Sequence, residues 1–230
     1  MKDEQPHAKL AINSHEIAIL TVAYNSNTSI ASLAQSLSRQ STKPRLWVIV
    51  DNSPRKHPLN SSSFRIINET IKVQPLAGRE GDGFAAGCNR GLQWLANTRW
   101  NGWVWLLNPD VDLRGNDVIA TLIKAQQSLP SHAVIGTAVR TVDGALEQAA
   151  GWIDHGLRFR KRTLDQNTKN RLGTNLSLIK VDWLSGCSML LQPSAHASQP
   201  RFDEQFPLYY EDLDFCLRQS DLGSPILWTD

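Results

Sequence analysis

The sequence predicts an α/β domain built on a mainly parallel sheet flanked by helices. Two patterns predict it. Short apolar, β-branched runs alternate with stretches whose apolar residues recur at helical spacing. Three of the apolar runs also stop at a polar cluster, at Tyr24-Asn25, Asp51-Asn52 and Asn108-Pro109-Asp110. The length, 230 residues, is enough for one compact domain with a sizeable core. A hydrophobic share of 41% and a charged share of 20% belong to a globular chain rather than a disordered one.

Residues 1–15 read as a loose tail, polar and mixed in charge. Ile17–Ala23 is the first buried strand and ends at the polar turn Tyr24–Asn27. Ile30, Leu33, Ala34 and Leu37 then repeat at helical spacing, with Asn27 to Ser29 as caps and Pro44 beyond the end. Leu46–Val50 is the second strand, and a third is expected around Phe64–Ile67 after a serine-rich stretch. A glycine-rich turn, Gly78 to Gly87, leads into a helix striped by Phe84, Cys88, Leu92 and Leu95. Trp103–Leu107 is a strand, and a helix over 116–129 follows, capped by Asn116 and Asp117 and stopped by Pro130. Beyond it, Val134–Val139 and Ser188–Gln192 read as strands, 143–182 carries weak signals, and Glu211 opens a short helix. That helix turns Leu213, Cys216 and Leu217 inward and ends at Gly223.

A net charge of +2 is too small for a nucleic-acid binder, which needs a concentrated basic face. Arg158, Arg160, Lys161 and Arg162 form one short basic cluster. It reads as a solvated loop or hairpin, with a contact to anionic lipid or a phosphorylated acceptor as the alternative. Cys88, Cys187 and Cys216 are far apart and odd in number, which argues against a disulfide framework or a zinc site and for a reducing cytoplasm. No signal-peptide core opens the chain, and no apolar run reaches the ~20 residues of a membrane helix. A soluble protein able to dock on a membrane surface is expected.

In an open α/β sheet, ligands bind outside the carboxyl ends of the strands. Asn and Asp also begin turns, so one polar strand end says little. Three on the same edge point to a site. Asp110 and Asp112 are closely spaced hard-oxygen ligands suited to Mg2+ or Mn2+, with positions left open for substrate phosphates. Glu211 and Asp212 stand at a helix start, where the dipole stabilises anions. They serve equally as caps or as a carboxylate base for an acceptor hydroxyl. Gly81-Asp-Gly-Phe-Ala-Ala86 fits the dinucleotide pattern G-x-G-x-x-A, but that pattern must follow a strand, and Pro75–Glu80 does not read as one.

These pieces, in this order, resemble family 2 glycosyltransferases, particularly their bacterial rhamnosyltransferase-like branch. The matching segments are Val22-Ala-Tyr-Asn-Ser26, Val50-Asp-Asn-Ser53, Gly83-Phe-Ala-Ala-Gly-Cys-Asn-Arg-Gly91 and Leu106-Leu-Asn-Pro-Asp-Val111, then Trp183-Leu-Ser-Gly-Cys-Ser-Met-Leu190, Phe202-Asp-Glu and Tyr210–Arg218. The resemblance implies a GT-A fold in one domain over 16–230. A nucleotide-binding half would cover 16–130 and an acceptor-binding half 131–230. It implies a nucleotide-sugar donor, a divalent metal, and a glycan or lipid-linked acceptor, with rhamnose favoured as the sugar and the inner face of the membrane as the place. By position, Tyr24, Asn25, Asp51, Gly83, Asn89 and Asn108 would contact the donor, and Asp110 would hold the metal with Asp112 as its neighbour. Trp183, Gly186 and Glu211 would line the sugar or acceptor pocket, and Asp212 would be the catalytic base of an inverting displacement. The chain departs from the family pattern at Gly81, where Asn is usual, and at Arg201, where Gly is usual. It also stops at Asp230, before the His-containing stretch relatives carry, so a domain truncated at its C-terminus is expected. A sugar nucleotidyltransferase would want a basic phosphate loop after the first strand, where this chain has Tyr24-Asn-Ser-Asn-Thr28. A non-catalytic sugar- or partner-binding relative is the other alternative, against which Asp110 and Asp212 argue.

Overall fold

A computed structural model describes residues 14–67, 69–147, 149–154, 160–172, 178–206 and 208–230. The basic residue Arg158 and all but the last two residues of the 1–15 tail lie outside that set. Ile17–Ala23 (β1), Leu46–Asp51 (β2), Lys72–Ala77 (β3) and Trp103–Leu107 (β4) run parallel in the order β3-β2-β1-β4. The same sheet continues with Ser188–Leu191 (β10), Val134–Thr137 (β5), Ile226–Thr229 (β11) and Ile179–Lys180 (β8). β10 is antiparallel to both of its neighbours, β4 and β5. Its amino end therefore lies at the edge where β1, β2 and β4 present their carboxyl ends. A small antiparallel sheet of Arg160–Thr163 (β7), Ala150–Asp154 (β6) and Trp183–Leu184 (β9) stands beside it.

The central strands are apolar throughout because both faces are covered. Ile17 and Ile19 of β1, Trp47 and Ile49 of β2, and Trp103 and Trp105 of β4 pack under Asn27–Arg39 (α1) and Val118–Gln126 (α3), meeting Ile30, Leu33, Ile119 and Leu122. Their neighbours Ala18, Leu20, Val48, Val50, Val104 and Leu106 face the other way. They pack against Cys88 and Leu92 of Phe84–Asn97 (α2) and Leu213 and Phe215 of Glu211–Asp221 (α5). α2 lies close on the sheet: a Cβ at Gly87 would come within 2.6 Å of Val22. α5 ends as expected at Gly223, at φ +87°, with Ser224 N–H bonded to Gln219 C=O and Gly223 N–H to Ser220 C=O, both 2.9 Å.

Two local expectations are corrected. Phe64–Ile67 belongs to a 3₁₀ helix over Ser61–Ile67, not to a strand. Asn60 Oδ1 accepts the Ser62 N–H (3.0 Å) and Asn60 C=O the Ser63 N–H (2.9 Å), so polar side chains wind the backbone locally. Phe64 and Ile67, three apart, share the buried side of that turn. The third strand is β3, whose half-exposed face and Pro75 hide it in the sequence; an edge strand tolerates both. β3 also removes the ground on which the dinucleotide pattern was set aside. A better one is topological: that pattern belongs to the first βα turn at the sheet's switch point, here between β1 and β4, whereas Gly81 follows the edge strand. In the 143–182 region the structure finds β6, β7, Gln166–Leu172 (α4) and β8, too short for periodicity to reveal. Arg160, Lys161 and Arg162 of the basic cluster fall on β7, antiparallel to β6, where Arg162 lies 6.0 Å over the Trp152 ring and pairs loosely with Asp154.

Candidate active site

The first wall of the site is made where β1 and β2 end. Asn25 adopts a left-handed conformation, φ 51°, which Asn tolerates, and its N–H donates to Ser53 Oγ (2.8 Å). Tyr24 beside it is 58% exposed. Asp51 accepts the Ser53 N–H (3.0 Å) on one oxygen and the Leu59 N–H (2.7 Å) on the other, so its carboxylate organises the loop after β2. Asn52 is a site residue the expected donor set lacks. It is buried, and its amide donates to the carbonyls of Asp82 and Gly83, both 3.1 Å, which ties the glycine turn to β2. Its Oδ1 is buried without a partner among the described residues. Gly78 has no Cβ because one would fall 1.9 Å from that oxygen. Gly83 opens α2, whose first turn carries no acidic side chain.

Asn89, placed by motif among donor contacts, works inside the protein. Its amide donates to Phe202 C=O (2.9 Å) and Glu204 Oε1 (2.7 Å) and accepts the Phe202 N–H (2.8 Å). It clamps the Phe202–Glu204 loop to α2. The signal was in the sequence, since both segments are motif pieces, but their mutual contact is tertiary.

The second wall is where β4 leaves and β10 enters. Asn108 N–H donates to Cys187 C=O (3.0 Å), joining the two strand ends. Asp110 follows, exposed. Asp112 pairs with Arg39 at the end of α1 (3.0 Å), both side chains more than half exposed. Among the described residues no three His, Cys, Asp or Glu side chains cluster as a ready-made metal site. A lone exposed carboxylate still fits Mg2+ or Mn2+, which take few protein oxygens and fill the rest of their shell with water and substrate phosphate.

Asp212 faces this wall. Its Oδ2 accepts the Gly186 N–H (3.0 Å) and its Oδ1 the Leu213 N–H (2.8 Å), at the first turn of α5, where the helix dipole favours a negative charge. Gly186 is glycine for a spatial reason: a Cβ there would lie 2.7 Å from Phe84 Cε1. Phe84 packs edge-on against Phe202 (6.0 Å), which stacks on Phe215 of α5 (4.3 Å). Glu211 is only 6% exposed, turned inward rather than toward an open pocket, with Oε2 unpartnered among the described residues. Burial raises its carboxyl pKa, and the Asp212 charge adds to that. Trp183 is 1% exposed and donates its indole N–H to Arg162 C=O (3.2 Å), so its ring is core and has no free face for a sugar. The same segment lines a cavity of about 420 Å³ through Ser185 and Cys187, with Val139, Glu147 and Ala149 as the other walls. Burial pushes the Cys187 thiol up to about 12, with the charges of Asp110 and Glu147 adding to it. That thiol stays protonated and is no nucleophile.

A mainly parallel sheet flanked by helices, with a polar edge over its strand ends and a carboxylate on each side of that edge, is the arrangement of the GT-A fold. Residues 18–184 match the family model described as glycosyl transferase family 2, and the chain belongs to that family. It is similar to the N-acetylglucosaminyl-diphospho-decaprenol L-rhamnosyltransferase of Mycobacterium tuberculosis, 25% identical over 223 residues, covering 90% of this chain and 71% of the relative. Its fold is that of GalNAc-T7 solved with UDP, GalNAc and Mn2+, at a TM-score of 0.69 and 11% identity over 93% of this chain. It is also that of the mannosyltransferase PcManGT from Pyrobaculum calidifontis in complex with GDP-Man and Mn2+, at 0.60 and 15% over 92%. The chain spans 42% and 53% of the lengths of those two structures.

Proposed function

We propose that this domain transfers a sugar from a nucleoside diphosphate to a hydroxyl of a glycan or lipid-linked acceptor, in one displacement that inverts the anomeric centre. One observation carries the reading. The Asp212 carboxylate is held by the Gly186 N–H, and the next residue, Cys187, accepts the Asn108 N–H at the end of β4. Asp212 thus stands across the same edge from Asp110. Asp212 would take the proton of the attacking hydroxyl, while the acceptor oxygen bonds to the anomeric carbon and the nucleoside diphosphate leaves from the opposite face. Asp110 would hold Mg2+ or Mn2+, which when bound neutralises charge on the departing diphosphate. The end of β1 at Tyr24 and Asn25, and the Asn52-anchored glycine turn, would cradle the nucleoside.

The named relative is a rhamnosyltransferase acting on a diphospho-decaprenol sugar, which supports rhamnose as the sugar and a lipid-linked acceptor. No helix among the described residues is long and apolar enough to cross a membrane. The test is Asp212→Asn. A positioned base contributes about 10² to 10⁴ in rate, so turnover should fall by that factor with donor affinity kept. Undiminished transfer by the variant would remove Asp212 from the role.

A further inference from the structure

Asp212 keeps its bond to the Gly186 N–H only while α5 stays in place over that segment. Leu213, Phe215 and Cys216 bury one face of α5 in the core. Apolar contact is non-directional and resists separation more than sliding. Directional bonds fix a helix along its own axis, and the segment Arg201–Glu204 supplies them on two sides.

On the α5 side, Arg218 donates its Nε–H to Asp214 Oδ2 (2.8 Å) and an Nη2–H to Arg201 C=O (3.0 Å), so one guanidinium joins helix and loop. Asp214 stands in the same first turn as Asp212. Phe202 stacks on Phe215 at 4.3 Å. On the α2 side, Asn89 bonds the N–H and the C=O of Phe202 (2.8 and 2.9 Å). It also donates to Glu204 Oε1 (2.7 Å), which accepts from Arg201 (3.2 Å) and so closes the loop on itself. α2 begins at Phe84, the ring that lies against Gly186. The loop therefore joins the helix that carries Asp212 to the helix whose first side chain packs under the group that holds Asp212.

Resting on the glycosyl-transfer reading, we propose that Arg218 and Asn89 are positioning residues for the base: they clamp the Arg201–Glu204 loop between α5 and α2 and so fix where Asp212 meets the acceptor hydroxyl. Neither touches the reacting groups, and every bond given above is to protein. Without the clamp α5 can slide, and a displacement of about 1 Å costs about 10² in rate. The donor edge keeps its place, because Tyr24, Asn25 and Asp110 follow β1 and β4 rather than α5.

Arg218 is the residue to vary, because its side chain is 42% exposed, whereas removing the buried Asn89 would strand both backbone groups of Phe202. In Arg218→Ala, hydrogen exchange of the Gly186 amide, followed by NMR, should quicken about tenfold or more, while the amides of Leu20 in β1 and Leu106 in β4 keep their protection. This arm reads the clamp without a substrate. Transfer of L-rhamnose from dTDP-L-rhamnose to N-acetylglucosaminyl-diphospho-decaprenol should lose about 10- to 10²-fold in kcat, with KM for both substrates unchanged. Arg218→Lys keeps the charge but not the planar fork and should lose most of the same factor. In an Asp212→Asn background, Arg218→Ala should cost no further turnover, because both changes act through one group. Wild-type kcat in Arg218→Ala, or full turnover in Arg218→Lys, would overturn the proposal. So would a loss that repeats in the Asp212→Asn background, or faster exchange shared by Leu20 and Leu106. An Asp212→Asn protein that transfers as fast as wild type would instead overturn the base reading, and this proposal with it.

Discussion

Gly186→Ala probes the contact that holds Asp212, the proposed base. The added methyl would sit 2.7 Å from Phe84 Cε1 and 2.9 Å from Phe84 Cζ, well inside contact distance. The Phe84 ring has little room to retreat, because it stands edge-on to Phe202 at 6.0 Å and Phe202 is stacked on Phe215 at 4.3 Å. Asn89 fixes Phe202 further by bonding both its N–H and its C=O. The backbone at 186 must then shift, carrying with it the N–H that holds Asp212 Oδ2 at 3.0 Å. Overpacking of this kind costs about 1–3 kcal/mol. At roughly 2–4 °C per kcal/mol for a domain of this size, Tm should fall by about 2–12 °C. Displacing a catalytic group by about 1 Å costs about 10² in rate, so turnover should drop by about that factor with donor affinity little changed. Thermal unfolding and sugar transfer, measured on the same preparations, read the two effects. Phe84→Leu in the Gly186→Ala background makes room for the methyl and should restore part of each, with a coupling of about 0.5–3 kcal/mol in stability. A Gly186→Ala protein with unchanged Tm and unchanged turnover would refute the reasoning, and additive losses in the double variant would remove Phe84 from it.

Asp110→Ala should abolish Mn2+-dependent binding of nucleoside diphosphates in calorimetry, while Asp112→Ala should bind as wild type. The exposed Asp112–Arg39 pair is worth about 0–1 kcal/mol, so thermal unfolding of Asp112→Ala should move little. Glu211→Gln tests the buried carboxyl through pH. Burial raises its folded pKa above the unfolded one, so the folded state binds the extra proton, and stability is lost as pH rises from the ordinary carboxylate range through the raised value. Glu211→Gln should therefore be more stable than wild type at neutral pH, with the gap closing toward about pH 4, the ordinary glutamate range, in denaturant titrations. A constant gap across pH would show that Glu211 is not the group responsible.

Much of the fold was legible in the chain because strands covered on both faces read as unbroken apolar runs. β1, β2 and β4, with helices α1 and α2 between them, follow from Ile17–Ala23, Leu46–Val50, Trp103–Leu107 and the helical stripes at Ile30–Leu37 and Phe84–Leu95. β3 was misplaced because an edge strand needs only one covered face and can carry a proline. The small sheet escaped because strands of two to five residues are shorter than any periodicity can register.

The polar strand ends were legible for the same reason: a buried strand stops where the polar residues begin, so the edge that binds ligands announces itself locally. Partner choice was not local. Asp112 looks like a second metal ligand until α1 brings Arg39 to it, and Asn89 looks like a ligand contact until Phe202, over a hundred positions away, takes its amide. Trp183 could have stacked on a sugar, but the packing of β9 against β6 buries it. Residue types and their order determined the sheet, the family and the edge that carries the chemistry, because those depend on which side chains avoid water. Which polar groups remain open to a ligand was decided only by the tertiary structure, because hydrogen-bond partners and close contacts such as Phe84 over Gly186 join segments that no sequence window contains.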